Sequence, residues 1–469
     1  MAQEELPTSL QESLLALLMF DVKHGSAVAA QVKPEHFDGP YQEVATRILA
    51  YRAKYGKPPG KAQLDDLFGW ALEKGERAPR LRRLMSGILT LSEGINPEYI
   101  ASKTQSHIRQ QTLKAALLQA SERYQQGGDD LIPEVERILH TALSTRQDML
   151  DAGTFLNDPK ALSFLNKPKV DYPIGIKELD ANNIGANKGQ MLLYIGPKNS
   201  GKTWFCVHMG TQGILHQAKI LHITLEMGEE DVVARYYQRF FNGSWSDDSY
   251  KVVQFELDSL DRIEGFRTRG RKPKIVFSTD EGKKLLREKL KQWGLRFRRL
   301  VIKQFPTGQL TVPQLYGYLD YLESVHKFIP TMIILDYPDL MKISPSNQRI
   351  DLGRTYVALR GLAVERSMAL IVPTQGGRQT IDARMVNSND VSEDISKVFT
   401  ADNTLTYSRT VAEQRDNLAR VHVAHARYAR AGQTIAISQA YDVGQYVLYS
   451  HPQSSRYWEL VRGNESSAE

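Results

Sequence analysis

QMLLYIGPKNSGKTWFCVHMGTQGILHQAKILHITLEM, residues 190–227, is the stretch whose reading decides the fold. The apolar run from Met191 to Ile195 predicts a strand, and the residues after Gly201 predict a helix reaching Leu215. Between them lies G-x-x-x-x-G-K-[ST], from Gly196 to Thr203. In that strand–loop–helix setting the motif is a phosphate cradle. Gly196 and Gly201 let backbone N–H groups turn inward around a polyphosphate with no Cβ in the way. Lys202 then reaches the β- and γ-phosphates, the Thr203 hydroxyl ligates Mg²⁺, and the helix N-terminus adds its partial positive charge. Gly196, Pro197, Lys198, Asn199, Ser200, Gly201, Lys202, Thr203 and the adjoining Trp204 are therefore the candidate nucleotide-binding residues.

A chain of 469 residues is too long for one compact core, so two or three domains are expected. Its 41% hydrophobic and 24% charged content is that of a soluble globular protein. The one cysteine, Cys206, leaves no internal disulfide, suits a reducing cytoplasm and is expected to pack on the phosphate-loop helix. The apolar run from Leu14 to Phe20 is too short to span a bilayer, so no membrane segment or secretory signal is expected. The net charge of +6 is uneven: Asp261 to Leu300 holds fourteen Lys and Arg against five Asp and Glu. Such a block is either a polyanion contact or a solvated surface, and beside a nucleotide site the first reading gains weight.

In chain order, residues from about Ser9 to Leu143 read as entirely helical. They form a bundle that ends in a helical hairpin broken at Gly127-Gly128. An all-α domain over residues 1–145, with an interaction or oligomerisation role, is followed by a linker over 146–171 that holds a short helix within Lys160–Leu165. An α/β domain with a mostly parallel central sheet occupies 172–469. Its alternating strand Lys219–Leu225 runs into Glu226, read as lying beside the phosphate-loop strand. Glu226 is a candidate general base for an attacking water, or else only a charge before the next helix. Met332–Leu335 is an apolar run closed by Asp336, the pattern of a second nucleotide strand whose carboxylate supports Mg²⁺. Gln375 ends the strand Ala369–Pro373 and either senses the γ-phosphate or merely terminates a loop. In the strand-rich last third, Arg427 and Arg430 project from a basic hairpin where they serve a neighbour's phosphate or only solvent.

The order of these motifs resembles the DnaB-type replicative helicases, phage-encoded members in particular. LQESLLALLMFD and VKPEHFDGPYQEVATRIL resemble that family's helical N-terminal domain, and PIGIKELD, GPKNSGKT, ITLEM, IILDY and TQGGR follow its ATPase order. The resemblance implies a RecA-like core in a ring of six subunits, with ATP and Mg²⁺ held between neighbours. By it Lys202 and Thr203 bind phosphate and metal, Glu226 activates water, Asp336 supports the metal, and Gln375 couples to DNA. It places loops near Ser344–Arg354 and Asp390–Lys397 at the channel, making Arg349, Arg354, Arg378, Asp390, Ser392, Glu393 and Lys397 candidate single-stranded-DNA contacts. Where the family's DNA loop carries Arg and Gly, this chain has Ser392 and Ile395, which moves contact toward backbone amides, Lys397 or Arg354. His425-Ala-Arg427 stands for the family's Lys-x-Arg, which favours Arg427 as the finger, with Arg430 as the alternative.

The implied activity is ATP-driven DNA unwinding, 5′–3′ in direction, in a bacterial host's cytoplasm if the protein is phage-encoded. Primase or a helicase loader are the implied partners. The alternatives are a RecA-like DNA-binding ATPase without unwinding, such as a recombinase, and a helical scaffold whose nucleotide site only locks assembly.

Overall fold

The computed structural model describes residues 8–143 except 22, 30, 31, 38, 74–77, 92–96 and 128–130, then residue 154, and 170–466 except 344–347 and 391–395. Its contacts divide the chain into two units, Met1–Leu165 and Asn166–Glu469. The expected linker, with its short helix at Lys160–Leu165, lies almost wholly outside the described residues.

The described part of the first unit is helical, as expected. Helix Thr8–Phe20 is its axis: Leu14 to Met19 are all buried, because Val44, Ile48, Phe68, Leu84 and Ile88 from the surrounding helices close on every side of it. An apolar helix covered all round needs its last carbonyls satisfied inside the unit. Buried Arg52 does this, donating to Leu18 O and Asp21 O. The hairpin pairs Pro97–Gln126 with Leu131–Leu143. Arg123 fastens its turn by donating to Gly127 O and to the Glu134 carboxylate.

Fifteen strands are described in the second unit. The central sheet takes β3 (Met191–Gly196), β4 (Ile220–Thr224), β9 (Leu300–Gln304), β10 (Met332–Asp336), β11 (Ala369–Gln375), β12 (Asn403–Ser408), β13 (Leu418–Ala426), β14 (Thr434–Ala440) and β15 (Gln445–Pro452). The others are β1 (Tyr172–Pro173), β2 (Gly185–Ala186), β5 (Gly243–Ser244), β6 (Tyr250–Leu257), β7 (Ile263–Arg271) and β8 (Ile275–Val276). The nine-stranded sheet runs β15-β14-β13-β12-β3-β11-β10-β4-β9. It is parallel from β12 to β9 and antiparallel from β12 to β15.

Every residue of β3 is buried. Leu192 and Tyr194 meet the helix Lys202–Leu215 through Phe205 and Met209, while Met191, Leu193 and Ile195 meet the helices Val312–His326 and Gln348–Glu365 on the other face. Cys206 packs in the first of these layers. A parallel strand covered by helices on both sides must be apolar throughout, which is why MLLYI reads as an unbroken hydrophobic run. One expectation is corrected. β4, which leads to Glu226, is not next to the phosphate-loop strand, because β11 and β10 lie between them. The basic stretch also carries structure that its charge density concealed, the β6–β7 hairpin and the helix Asp280–Phe297.

Two histidines are sealed in the core, one on the phosphate-loop helix and one on β4. His222 on β4 lies 2.8 Å from the Tyr236 hydroxyl, and His208 lies 2.7 Å from Ile174 O. Burial pushes both pKa values down from 6.5 to about 3. The unfolded chain therefore takes up these protons first, and the stability that the neutral rings contribute is lost as pH falls from 6.5 toward 3. Lowering pH from 7 to 5 costs about 2 kcal/mol per ring. Urea unfolding of His222→Asn should show that much less acid destabilisation than the parent chain, and equal losses would contradict a buried neutral imidazole.

Candidate active site

The phosphate loop owes its shape to two positions. Gly201 has φ 91°, and a Cβ there would come within 2.4 Å of the Tyr441 hydroxyl; Asn199 also takes a left-handed turn, at φ 58°. Both open the backbone at the mouth of the helix Lys202–Leu215. Parallel register sets the rest of the rim. Gln375 pairs with Gly196, Gly376 N–H donates to Gly196 O at 3.0 Å, and Asp336 pairs with Thr224 two residues before Glu226.

These registers gather Lys198 to Trp204, Glu226 and Gln375 around one cleft of about 480 Å³. Pro197 lines an adjoining pocket. Lys202 donates to Pro197 O at 2.9 Å. Burial lowers the pKa of its ammonium, while the Asp336 and Glu226 carboxylates act to raise it. Glu226 itself is exposed to the cleft on a turn that the Thr224 hydroxyl ties at both ends of Met227.

Asp336 lies behind the wall at 2% exposure, hydrogen-bonded to the Thr203 hydroxyl. Burial pushes its carboxyl up from 3.8 to about 6 against the pull of Thr203, Lys202 and Arg235, and nearby Glu226 pushes the same way. Its Oδ1 is a buried oxygen with no hydrogen-bond partner. An orphaned carboxylate oxygen beside a hydroxyl suits Mg²⁺, which takes one or two protein oxygens and completes its shell with water and phosphate. Among the described residues no cluster of three His, Cys, Asp or Glu competes as a metal cage.

Five further residues line the cleft that the sequence reading did not single out: Arg235, Met227, Tyr337, Arg409 and Tyr441. Trp204 stacks on Tyr441, with ring centroids 5.7 Å apart and planes within 10°. The Arg235 guanidinium lies 5.0 Å from the Trp204 centroid and that of Arg409 6.0 Å from Tyr441. Together they form a stacked aromatic pair with a cation over each ring. Of these residues Trp204 carried the only signal in sequence, its place beside the loop; Arg235, Arg409 and Tyr441 arrive from three distant segments.

The remaining described candidates do not line this cleft. Arg349, Arg354 and Arg378 are exposed, with Arg354 3.4 Å from Asp351. Ser392 and Glu393 lie outside the described residues. Asp390 is spent on its own turn, accepting from Asn387 N–H at 2.8 Å and, through its carbonyl, from Gly377 N–H. Lys397 is a correction: its side chain is fully buried, 2.9 Å from Asp339, so its ammonium neutralises that carboxylate and does not face a DNA strand. Arg427 lies 3.1 Å from buried Asp402, which Arg360 also grips. Arg430, by contrast, is exposed on the hairpin and makes no ion pair among the described residues.

Because Asp336 ionises near pH 6 in the folded chain and near 3.8 when exposed, its burial is a cost that is present above about pH 6 and fades toward 3.8. Asp336→Asn should therefore stabilise the nucleotide-free protein by about 2–3 kcal/mol at pH 8, with most of the gain gone by pH 4. A pH-independent difference in urea unfolding would contradict that origin.

No protein-family model matches the chain. A curated relative, the DnaB-like replicative helicase of Enterobacteria phage T4, is 24% identical over 418 residues, covering 83% of this chain and 80% of the relative. A solved structure described as a DnaB-like replicative helicase and its interactions with primase superposes with a TM-score of 0.52 at 15% identity, covering 94% of this chain and 99% of that one. A second, described as the ATPase domain of G40P, covers 63% of this chain and 99% of its own at a TM-score of 0.46 and 16% identity. In sequence over most of its length and in fold over nearly all of it, this chain is similar to the DnaB-like replicative helicases.

Proposed function

We propose that this chain is a ring-forming, ATP-driven replicative DNA helicase that moves 5′–3′ along single-stranded DNA. The observation that carries the reading is the convergence of Lys202, Thr203, Glu226 and Gln375 on one cleft backed by buried Asp336. The N–H groups of the phosphate loop and the Lys202 ammonium hold the β- and γ-phosphates, and Trp204 and Tyr441 line the same cleft. Thr203 and Asp336 would hold Mg²⁺, which supplies charge neutralisation on the phosphates. Glu226 accepts the proton of the attacking water.

Gln375 stands where the γ-phosphate end of the cleft meets the chain leading to Arg378 and Asp390. The bond from Gly377 N–H to Asp390 O joins that chain to the start of the candidate DNA-contact segment Asp390–Lys397. Loss of the γ-phosphate is in this way transmitted to residues that follow a DNA strand, with Arg349, Arg354 and Arg378 supplying exposed cations. Arg430, the unpaired guanidinium of the hairpin, suits a finger on a neighbour's phosphate better than Arg427, which Asp402 occupies. A six-membered ring of identical subunits and a primase partner complete the reading, with host-cell cytoplasm as its setting. Among the described residues no helix is long and apolar enough to cross a membrane.

ATP turnover should rise when single-stranded DNA is added, and Lys202→Ala and Glu226→Gln should each lower it by a factor of a hundred or more, on the order expected for loss of a catalytic group. Strand separation of a forked substrate should stop with it. Hydrolysis indifferent to DNA would remove the motor reading, and DNA-stimulated hydrolysis without strand separation would favour the recombinase-like alternative. Arg430→Ala should abolish turnover while leaving nucleotide affinity intact, whereas turnover surviving in Arg430→Ala and failing in Arg427→Ala would move the finger to Arg427.

A further inference from the structure

Residues 242–299 fill the crossover from the helix Glu229–Phe241 to β9, where a parallel connection needs only one helix. The added structure is firmly seated. Val253, Phe255 and Ile263 of the hairpin pack with Leu418, Tyr457 and Val461, while Leu290, Trp293 and Phe297 of the helix Asp280–Phe297 pack against Phe240 and Phe241.

What this seating leaves outward is cationic. On β7, Arg267, Arg269 and Arg271 share one side of the hairpin, facing Gln254, Val252 and Tyr250 in the antiparallel register. Arg267 is engaged by Glu256 at 2.8 Å, and Arg269 and Arg271 are exposed without an ion-pair partner among the described residues. On the helix, Lys284, Arg287 and Lys291 fall at i, i+3 and i+7 along one exposed stripe, also without an ion-pair partner among the described residues. The exposed carboxylates of the segment, Asp247, Asp248, Asp261, Glu264, Asp280, Glu281 and Glu288, are outnumbered by its exposed lysines and arginines.

We propose that this insertion, through Arg269 and Arg271 on β7 and Lys284, Arg287 and Lys291 on the following helix, is a second nucleic-acid contact that grips phosphates outside the nucleotide cleft and the expected channel loops. The spacing favours a repeating polyanion: same-side strand residues recur every ~7 Å and the helical cations lie about one turn apart. A protein partner would call for a buried aromatic or aliphatic anchor between the charges. Here Thr268 and Gly270 separate the arginines, and Leu295 stands alone beside the helical stripe. That the polyanion is DNA rests on the function proposed above.

The test uses the full chain with labelled single-stranded DNA and with a forked duplex, binding being measured by fluorescence anisotropy between 50 and 200 mM salt. Arg269→Ala/Arg271→Ala should weaken binding about tenfold at low salt and flatten the salt dependence by about two phosphate contacts, and Lys284→Ala/Arg287→Ala/Lys291→Ala by about three. ATP turnover without DNA should stay at the parent value. Losses confined to the fork would place the duplex arm on this surface, and losses on both substrates the single strand. Salt slopes equal to the parent's would overturn the proposal and leave the surface to an acidic protein segment. A parent chain with no affinity for either DNA would instead strike the helicase reading itself.

Discussion

The second unit depends on one unfavourable placement, the Asp336 carboxylate held away from water against the Thr203 hydroxyl. A buried carboxylate with one oxygen unbonded costs the fold free energy. The sheet can hold it there because β10 is anchored between β4 and β11 and every residue of the strand is buried. Stability is given up at the wall of the candidate site, a form of strain expected at working sites rather than in scaffolds.

Three residues further on, the chain makes the opposite arrangement. Asp339 accepts from Tyr356 at 2.9 Å and from Thr374 at 2.8 Å, and pairs with Lys397 at 2.9 Å, so this buried carboxylate is fully matched. Thr374 precedes Gln375, and Lys397 belongs to the short helix Ser396–Thr400. The turn after Asp336, the strand ending in Gln375 and that helix are thus pinned to one point. Asp402 is a second such point, taking Met191 N–H, Arg360 and Arg427. A shift of the helix Ser396–Thr400 is therefore tied to the strand ends around Gln375, and Asp402 ties the phosphate-loop strand to the basic hairpin.

The sequence disclosed those parts of the site whose chemistry demands a fixed spacing or strand end: the glycines and lysine of 196–203, Glu226, Asp336 and Gln375. Arg235, Arg409 and Tyr441 stayed hidden because an amphipathic helix and two strand ends far apart in the chain bring them together, and no local pattern encodes that meeting. Lys397 misled for the converse reason. A lysine in a polar stretch reads as solvated, and the carboxylate that allows its burial lies far upstream at Asp339. The β6–β7 hairpin had its alternation in plain view, with Arg267, Arg269 and Arg271 at every second position, yet so many charges outweighed the strand signal.

Proton release on loading the cleft tests the account most directly. With Asp336 titrating at about 6 in the nucleotide-free protein, closing a magnesium-bound triphosphate on it must fix the ionised form. Calorimetric titration with preformed Mg·ATP at pH 6, in buffers of different ionisation enthalpy, should report about half a proton released per site. The release should fall to none at pH 8 and at either pH in Asp336→Asn. Binding heats that are the same in every buffer at pH 6, or a release that survives Asp336→Asn, would contradict it.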